Sequence, residues 1–326
     1  MKVASRAASG SRSGPQRFLS GYGQELIVTL AIVVLFVVVG TLNPRFLSDN
    51  NINSIIAGNA YIAVAAIGMS MIIIAGHIDV SVGSLIGVIA TIAGTMAVSG
   101  FPIWMAWLVP IAISMVINAG VGTLVAYTKI PSIVVTLGML SILKGGLISA
   151  TGGSWITDMP PEFMIAQFRL FSIPSSVYFM VVLTIIAAIF MRLTDFGRAI
   201  YAVGGNIEAA RAAGLNAERT VIGVFALHGL FAGIAGILFA TQLQVIQSTV
   251  PPNLELTVIT ASVIGGVSIL GGIGSVVGST LAAILFATIG SALIFLNVSA
   301  YWLRAVLGLM ILATVLADML RRRRSS

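Results

Sequence analysis

A single carboxylate stands within a long apolar part of this sequence. Asp79 is the only acidic residue between Asp49 and Asp158, and it lies in residues 75–84, which read AGHIDVSVGS. An ionised carboxylate at membrane depth costs several kcal/mol unless it is paired or hydrated. Three interpretations remain open. In the first, Asp79 accepts backbone N–H bonds as the cap of the following helix, helped by Ser81. In the second, it is a polar residue at an interrupted helix beside a solute path. In the third, it carries a coupling proton.

Polar amides form a second group of candidates. Asn59, Gln242 and Gln244 lie in or beside apolar runs, and we take them with Asp79 and Ser81 as candidates for lining a solute path. Buried amides in membrane proteins more often bond to neighbouring helices, so this second interpretation stays open for each of them.

The residues needed for common enzymatic chemistry do not occur in recognisable patterns. The sequence has no cysteine, and its two histidines, His77 and His228, are far apart and outside any HExxH motif. His77 is interpreted as a cytosolic interfacial residue, as a partner of Asp79 or as a hydrogen-bonding residue of the solute path. GxxxxGK[ST] and GxSxG are also absent. We therefore predict no catalytic residue, no metal site, no bound cofactor and no ATP hydrolysis by this chain.

The composition determines the fold class. Of 326 residues, 58% are hydrophobic and 8% are charged, with a mean hydropathy of +1.08. A soluble domain carries about 25% charged residues, so this composition cannot form a water-facing surface. The net charge of +7 comes largely from basic residues before the first apolar run and from residues 321–324. Such clusters mark cytosolic segments, which favours a topology signal over nucleic-acid binding.

Ten apolar runs predict an all-α polytopic membrane protein with about ten transmembrane helices, some of them discontinuous. The runs are 25–42, 52–75, 80–98, 104–127, 132–150, 175–191, 221–241, 256–270, 275–295 and 301–319. An even number of crossings places both termini in the cytosol, the loop 151–174 outside and the loop 192–220 inside. We expect a flexible basic tail over 1–20, one transmembrane domain over 21–320 and a basic tail over 321–326. The similar stretches VGSLIG (82–87) and IGSVVG (273–278) are consistent with an internal repeat.

The longest polar interval after the amino terminus is residues 194–219. It contains glycine breaks at 204–205 and 214, with a short alanine-rich helix predicted between them. Gly214 is suited to ending that helix, because glycine adopts the left-handed conformation at low cost. Small side chains let a partner approach the backbone, and flanking charges can fix its register. The residues predicted to contact a partner are Glu208, Ala209, Ala210, Arg211 and Gly214. An ordinary interfacial helix is the alternative.

Four stretches together resemble the permease subunits of bacterial ABC importers for sugars, the ribose, xylose, galactose, rhamnose and autoinducer 2 group. They are residues 77–84, 129–145, 196–216 and 263–278. The resemblance implies a type II importer permease in the inner membrane. Its implied partners are a second permease, two ATPase subunits or domains that bind ATP and Mg²⁺, and a periplasmic or lipid-anchored binding protein. The segment resembling 207–214 is the coupling helix of that family, and residues 151–160 are most similar to autoinducer 2 and rhamnose permeases.

Three other functions remain as alternatives. An ion-coupled secondary transporter would use Asp79, but it would leave the loop 192–220 without a role. An intramembrane enzyme would need a catalytic set that the sequence does not display. The third alternative is a non-catalytic structural subunit.

Overall fold

The computed structural model describes residues 14–242, 245–248 and 251–299, and eleven residues between 301 and 316; of residues 14–22 only the backbone is described. The described chain is almost entirely helical, which confirms the predicted all-α class. Its α-helices are α1 (Gly14–Leu42), α2 (Asp49–Gly58), α3 (Ala60–Ile74), α4 (Val82–Val98), α5 (Ile103–Thr128), α6 (Ser132–Thr151), α7 (Ser175–Leu193), α8 (Asp195–Gly205), α9 (Ile207–Ala212), α10 (Ala217–Ala240), α11 (Leu254–Ile264) and α12 (Val276–Phe295). The described residues between 302 and 316 are mostly helical as well.

Most of these helices are long and apolar enough to cross a membrane. Within the described part of the chain, seven segments meet this standard: Gly23–Leu42, Asp49–Ile74, Ile103–Thr128, Ser132–Thr151, Ser175–Leu193, Ala217–Ala240 and Val276–Phe295. Two shorter apolar helices lie beside interruptions of the helical chain. Helix α4 follows the break at residues 75–81, and α11 precedes the break at 265–275. The first nine predicted runs therefore each contain helix, and the tenth lies partly outside the described residues.

Helix α3 is the centre of the fold. Every residue from 63 to 74 is buried, and α10, α11 and α12 all pack against the helix. A helix that is hydrophobic on all sides belongs inside a bundle, where no face meets water. Helix α10 packs on α5 through glycine, since a Cβ on Gly229 would lie 2.6 Å from the carbonyl oxygen of Ser114. These close contacts are the ones expected when small residues bring helices together in lipid.

The two ends of the bundle differ. At one end, which we call the strand end, β1 (Trp155–Ile156) pairs with β4 (Ile246–Gln247), and β2 (Arg169–Leu170) pairs with β3 (Ile173–Pro174), both antiparallel. Three 3-10 turns, Pro44–Leu47, Pro161–Phe163 and Ile165–Gln167, complete the regular elements. At the opposite end of α7 the chain forms α8 and α9, and we call this the loop end.

Candidate functional site

The α8–α9 segment at the loop end is built by three side-chain caps. Thr194, Asn206 and Asn216 precede α8, α9 and α10. Each side-chain oxygen accepts a hydrogen bond from the backbone N–H three residues later, at 3.0, 2.9 and 2.8 Å respectively. Such caps satisfy N–H groups that have no acceptor inside the helix. Three short-range caps therefore fix the direction of each helix in this segment.

The end of α9 is a Schellman motif centred on Gly214. The backbone φ of Gly214 is +85°. Its N–H donates to the carbonyl of Arg211 at 2.9 Å, and the N–H of Leu215 donates to the carbonyl of Ala210 at 3.0 Å. Glycine is favoured here because its φ is positive. No atom lies within 4 Å of the position that a Cβ would occupy, so the space around Gly214 is open. The predicted helix end is confirmed.

The outward face of α9 is made of small residues. Ala209, Ala212 and Gly214 are exposed, whereas Ala210 points inward and is buried. Beside this face, Arg211 forms ion pairs with Glu208 at 3.1 Å and with Glu218 at 2.7 Å. The hydrogen bond to Glu218 is the main cause that raises the pKa of Arg211. The result is a shallow backbone surface bordered by oriented charges, suited to close contact with another protein.

A cleft of about 690 Å³ separates α9 from the rest of the loop end. Its walls are α9, the turn between α5 and α6, and the break between α3 and α4; Ile207, Glu208, Arg211, Lys129 and His77 are among the lining residues. His77 is therefore placed at the cleft. Three stretches that are distant in sequence meet around this space.

The break between α3 and α4 is held by the first turns of α6. The Ser132 hydroxyl accepts from the N–H of Ile78 at 3.1 Å, and the Thr136 hydroxyl accepts from the N–H of Val80 at 3.1 Å. These two residues were not among the predicted site residues. Their hydroxyls satisfy backbone groups that the interruption of the helix would otherwise leave unpaired.

Helix α8 meets both interrupted segments at close backbone contacts, and the Tyr201 hydroxyl also donates to the carbonyl of Gly274 at 2.9 Å. A Cβ on Gly204 would overlap the carbonyl oxygen of Ile74, and a Cβ on Gly271 would lie 2.6 Å from the carbonyl oxygen of Gly204. A Cβ on Gly272 would lie 2.7 Å from the Cα of Gly205, and the Gly272 N–H donates to the Ile74 carbonyl at 2.8 Å. We call these contacts among Gly204, Gly205, Gly271, Gly272 and Ile74 the glycine junction. The predicted break at 204–205 is confirmed, because α8 ends at Gly205 and the extended Asn206 separates it from α9. The same glycines also serve a close approach, which the sequence does not predict.

Asp79 is fully buried, and it has a partner that the sequence analysis did not identify. Its Oδ1 accepts hydrogen bonds from the Ser81 N–H at 2.7 Å and the Ser81 hydroxyl at 2.6 Å. Its Oδ2 lies 3.3 Å from Nε2 of His228, which is also fully buried. This distance is within ion-pair range, although the orientation does not make a hydrogen bond. Asp79 thus closes a turn immediately before α4, and the histidine beside its carboxylate is His228 rather than His77.

The amide candidates lie elsewhere. The Asn59 side chain donates to the carbonyl of Ile55 at 3.1 Å, and that of Gln242 donates to the carbonyl of Gly58 at 2.9 Å. Both therefore support the junction of α2 and α3, at the far end of α3 from Asp79. Gln244 lies outside the described residues. Within the described ranges, no group of three or more His, Cys, Asp or Glu side chains could hold a metal ion.

Comparison with protein families gives a match across most of the chain. Residues 51–315 match the family described as branched-chain amino acid transport system / permease component. The chain belongs to this permease family. The match spans the interrupted helices and the α8–α9 segment together, and it makes the chain a multi-pass membrane permease. The resemblance to permeases of ABC sugar importers is confirmed.

Similar permeases carry a more specific name. The autoinducer 2 import system permease protein LsrC of Salmonella typhi is 36% identical over 90% of this chain and 85% of its own length. LsrC of Escherichia coli O9:H4 (strain HS) is 34% identical over 90% of this chain and 86% of its own length. No solved structure matches the permease significantly.

Proposed function

We propose that this permease is the membrane subunit of an ATP-driven importer for a sugar-like solute, with autoinducer 2 as its first candidate substrate. The observation that carries the proposal is the α8–α9 segment. It offers an exposed face of small residues on a capped six-residue helix, and α8 contacts both interrupted membrane segments at the glycine junction.

A separate ATPase supplies the energy in this proposal. Two ATPase subunits or domains bind ATP and Mg²⁺ and dock against α9, with Glu208, Ala209, Ala210, Arg211 and Gly214 at or beside the contact. When the ATPases close, α8 is displaced with α9. Because α8 meets the breaks at 74–76 and 271–272 through backbone, the displacement reaches the membrane segments directly.

The remaining partners follow from the same arrangement. A second permease completes the pathway, as the same chain or a related one. A periplasmic or lipid-anchored binding protein delivers the solute at the strand end, where a cleft of about 610 Å³ is lined by Thr157, Asp158, Gln167 and their neighbours.

We place the loop end and both termini in the cytosol and the protein in the bacterial inner membrane. Basic residues near both ends of the chain support this orientation.

Two observations support autoinducer 2 as the first candidate, and the first of them favours it over both ribose and rhamnose. The relatives named above are autoinducer 2 permeases and cover nine-tenths of this chain. Residues 151–160, which are most similar to autoinducer 2 and rhamnose permeases, form β1 and one wall of the strand-end cleft. An ion-coupled transporter is a weaker proposal, because Asp79 is fully buried and bonded to Ser81.

Reconstitution tests the proposal. The permease is placed in proteoliposomes with its cognate ATPase and binding protein, and uptake of labelled autoinducer 2, ribose and rhamnose is measured. We expect uptake of autoinducer 2 only with ATP inside and the binding protein outside. Uptake driven by a proton gradient with no nucleotide would refute the ATP-driven importer. Preferential ATP-driven uptake of ribose or rhamnose would refute only the choice of substrate.

A further inference from the structure

Glu255 is an acidic residue near the middle of the bundle, and none of the functions discussed so far uses it. Along α4, Gly94 lies against Ile246 of the strand end, and Gly83 lies against Glu255. These two glycines are eleven residues apart, so Glu255 is about 16 Å below the strands. From Glu255 to Gly265, ten residues of α11 descend about 15 Å toward the loop end. In a hydrocarbon layer of about 30 Å, this carboxylate lies near mid-depth.

The carboxylate fits against the start of a second helix. A Cβ on Gly83 would lie 2.6 Å from Oε2 of Glu255 and 3.1 Å from its backbone N. Because glycine has no Cβ, residue 83 leaves room for the Glu255 carboxylate. Gly83 is in the first turn of α4, and Glu255 is in the first turn of α11. The amino-terminal ends of two helices thus meet at one carboxylate.

The surroundings of Glu255 leave its hydrogen-bonding capacity unused. Neither helix start has a side-chain cap. Among the described residues, the Glu255 carboxylate has no hydrogen bond or ion pair, in contrast to Asp79 with Ser81 and His228. It is half-buried, and Asn253 and Leu256 beside it are exposed. A carboxylate has about four acceptor sites, so this one can bind donors that come from outside the chain.

We propose that Glu255 lines the solute path and accepts hydrogen bonds from the hydroxyl groups of an uncharged polyhydroxylated solute. Ionisable residues inside a membrane bundle commonly mark such paths. A carboxylate, which offers acceptor oxygens, also suits hydroxyl donors better than anionic groups such as those of sugar phosphates. This inference rests on the proposed importer function and adds to it one contact that selects the chemical class of the solute.

Accessibility gives the first test. The natural chain has no cysteine, so Glu255→Cys is a single-cysteine variant. In the complex with the ATPase, a membrane-impermeant, charged methanethiosulfonate reagent is applied to both sides, with and without nucleotide, and labelling of this chain is read on a gel. We expect labelling of Glu255→Cys in at least one nucleotide state. Val258→Cys, buried on the same helix, should stay unlabelled, and Phe171→Cys, 87% exposed at the strand end, should label in every state.

Transport gives the second test, with labelled autoinducer 2 and ribose as probes. In proteoliposomes, Glu255→Gln should lower the uptake rate about tenfold, because a neutral amide replaces a charged acceptor. Glu255→Asp, which keeps the charge, should recover part of the loss and control for folding. Asp49→Asn changes an exposed carboxylate outside the residues assigned to either cleft or to the docking face and should leave uptake unchanged.

The two tests separate the failure of this inference from the failure of the importer proposal. If Glu255→Cys stays unlabelled in all states, or Glu255→Gln transports at the normal rate, Glu255 does not line the path. If the unaltered complex shows no ATP-dependent uptake, the importer proposal fails. The labelling pattern would still report whether Glu255 faces an aqueous path.

Discussion

Oδ2 of Asp79 lies 3.3 Å from Nε2 of His228, and neither side chain is exposed. The contact joins the break between α3 and α4 to α10, which begins directly after the α8–α9 segment. Removing one member of a buried polar pair leaves the other without a partner in a medium of low dielectric constant. The pair therefore ties the interrupted segment to the helix nearest the docking surface.

Asp79→Ala should lower the free energy of unfolding by about 3 kcal/mol, since it removes both the Ser81 hydrogen bonds and the neighbour of His228. Asp79→Asn keeps one acceptor for Ser81 and should retain substantial ATP-driven uptake. Thermal unfolding of the purified permease and uptake in proteoliposomes measure the two effects. Asp49→Ala, at an exposed position, is the control for stability. Complete loss of uptake in a well-folded Asp79→Asn variant would instead favour a proton-carrying role.

Gly214→Arg should abolish uptake while the permease still inserts into the membrane. The substitution adds a long side chain to the proposed docking face and a Cβ at φ +85°. Backbone strain and steric bulk can be separated with Gly214→Asn, because asparagine tolerates the left-handed conformation and is short. We expect the Asn variant to keep most uptake and the Arg variant to lose copurification with the ATPase. Equal uptake by the Arg variant and the unaltered protein would exclude docking at this position.

Gly204→Ala should separate ATP hydrolysis from transport. Its Cβ would overlap the carbonyl oxygen of Ile74, so α8 must move away from the break between α3 and α4. The docking face on α9 is unchanged, and hydrolysis by the bound ATPase should continue while uptake falls at least tenfold. The matched control is the adjacent Gly205→Ala, whose Cβ would lie 3.9 Å from its nearest neighbour, the Cα of Gly272. Comparable uptake by the two variants would argue against transmission through the glycine junction.

Ala209→Trp should prevent the ATPase from binding without destabilising the isolated permease. Ala209 is exposed on α9, and its side chain is not part of the packed core. Pull-down of the ATPase by the tagged permease measures the effect, with thermal unfolding as the check on folding. Ile142→Trp, on an exposed face of α6, is the control for adding a large aromatic side chain. Normal binding by the Ala209 variant would place the docking surface elsewhere.

Local signals in the sequence predicted much of this fold. The apolar runs predicted the helices because each reflects the length and composition of one segment. The caps and the end of α9 follow from the chemistry of Asn206 and Gly214 within a few residues. The interruption around Asp79 was also visible, because a carboxylate is unusual in a membrane helix.

Contacts between distant segments were not predictable in the same way. His228 is on a helix that gives no local indication that it reaches Asp79. Gly204 and Gly272 read individually as flexible positions, and only the packed chain brings them together. Glu255 is in the first turn of a helix, where acidic residues are common, so its position at mid-depth became informative only with its contact to Gly83 of α4.

The glycine junction also limits how motion passes through this protein. Side chains at an interface can absorb a small displacement by changing rotamer. At Gly204 and Gly271 no side chain is available to yield, and peptide atoms press directly on peptide atoms. A displacement of α8 therefore meets the backbone of both interrupted segments at these positions, where rotamer changes cannot relieve it.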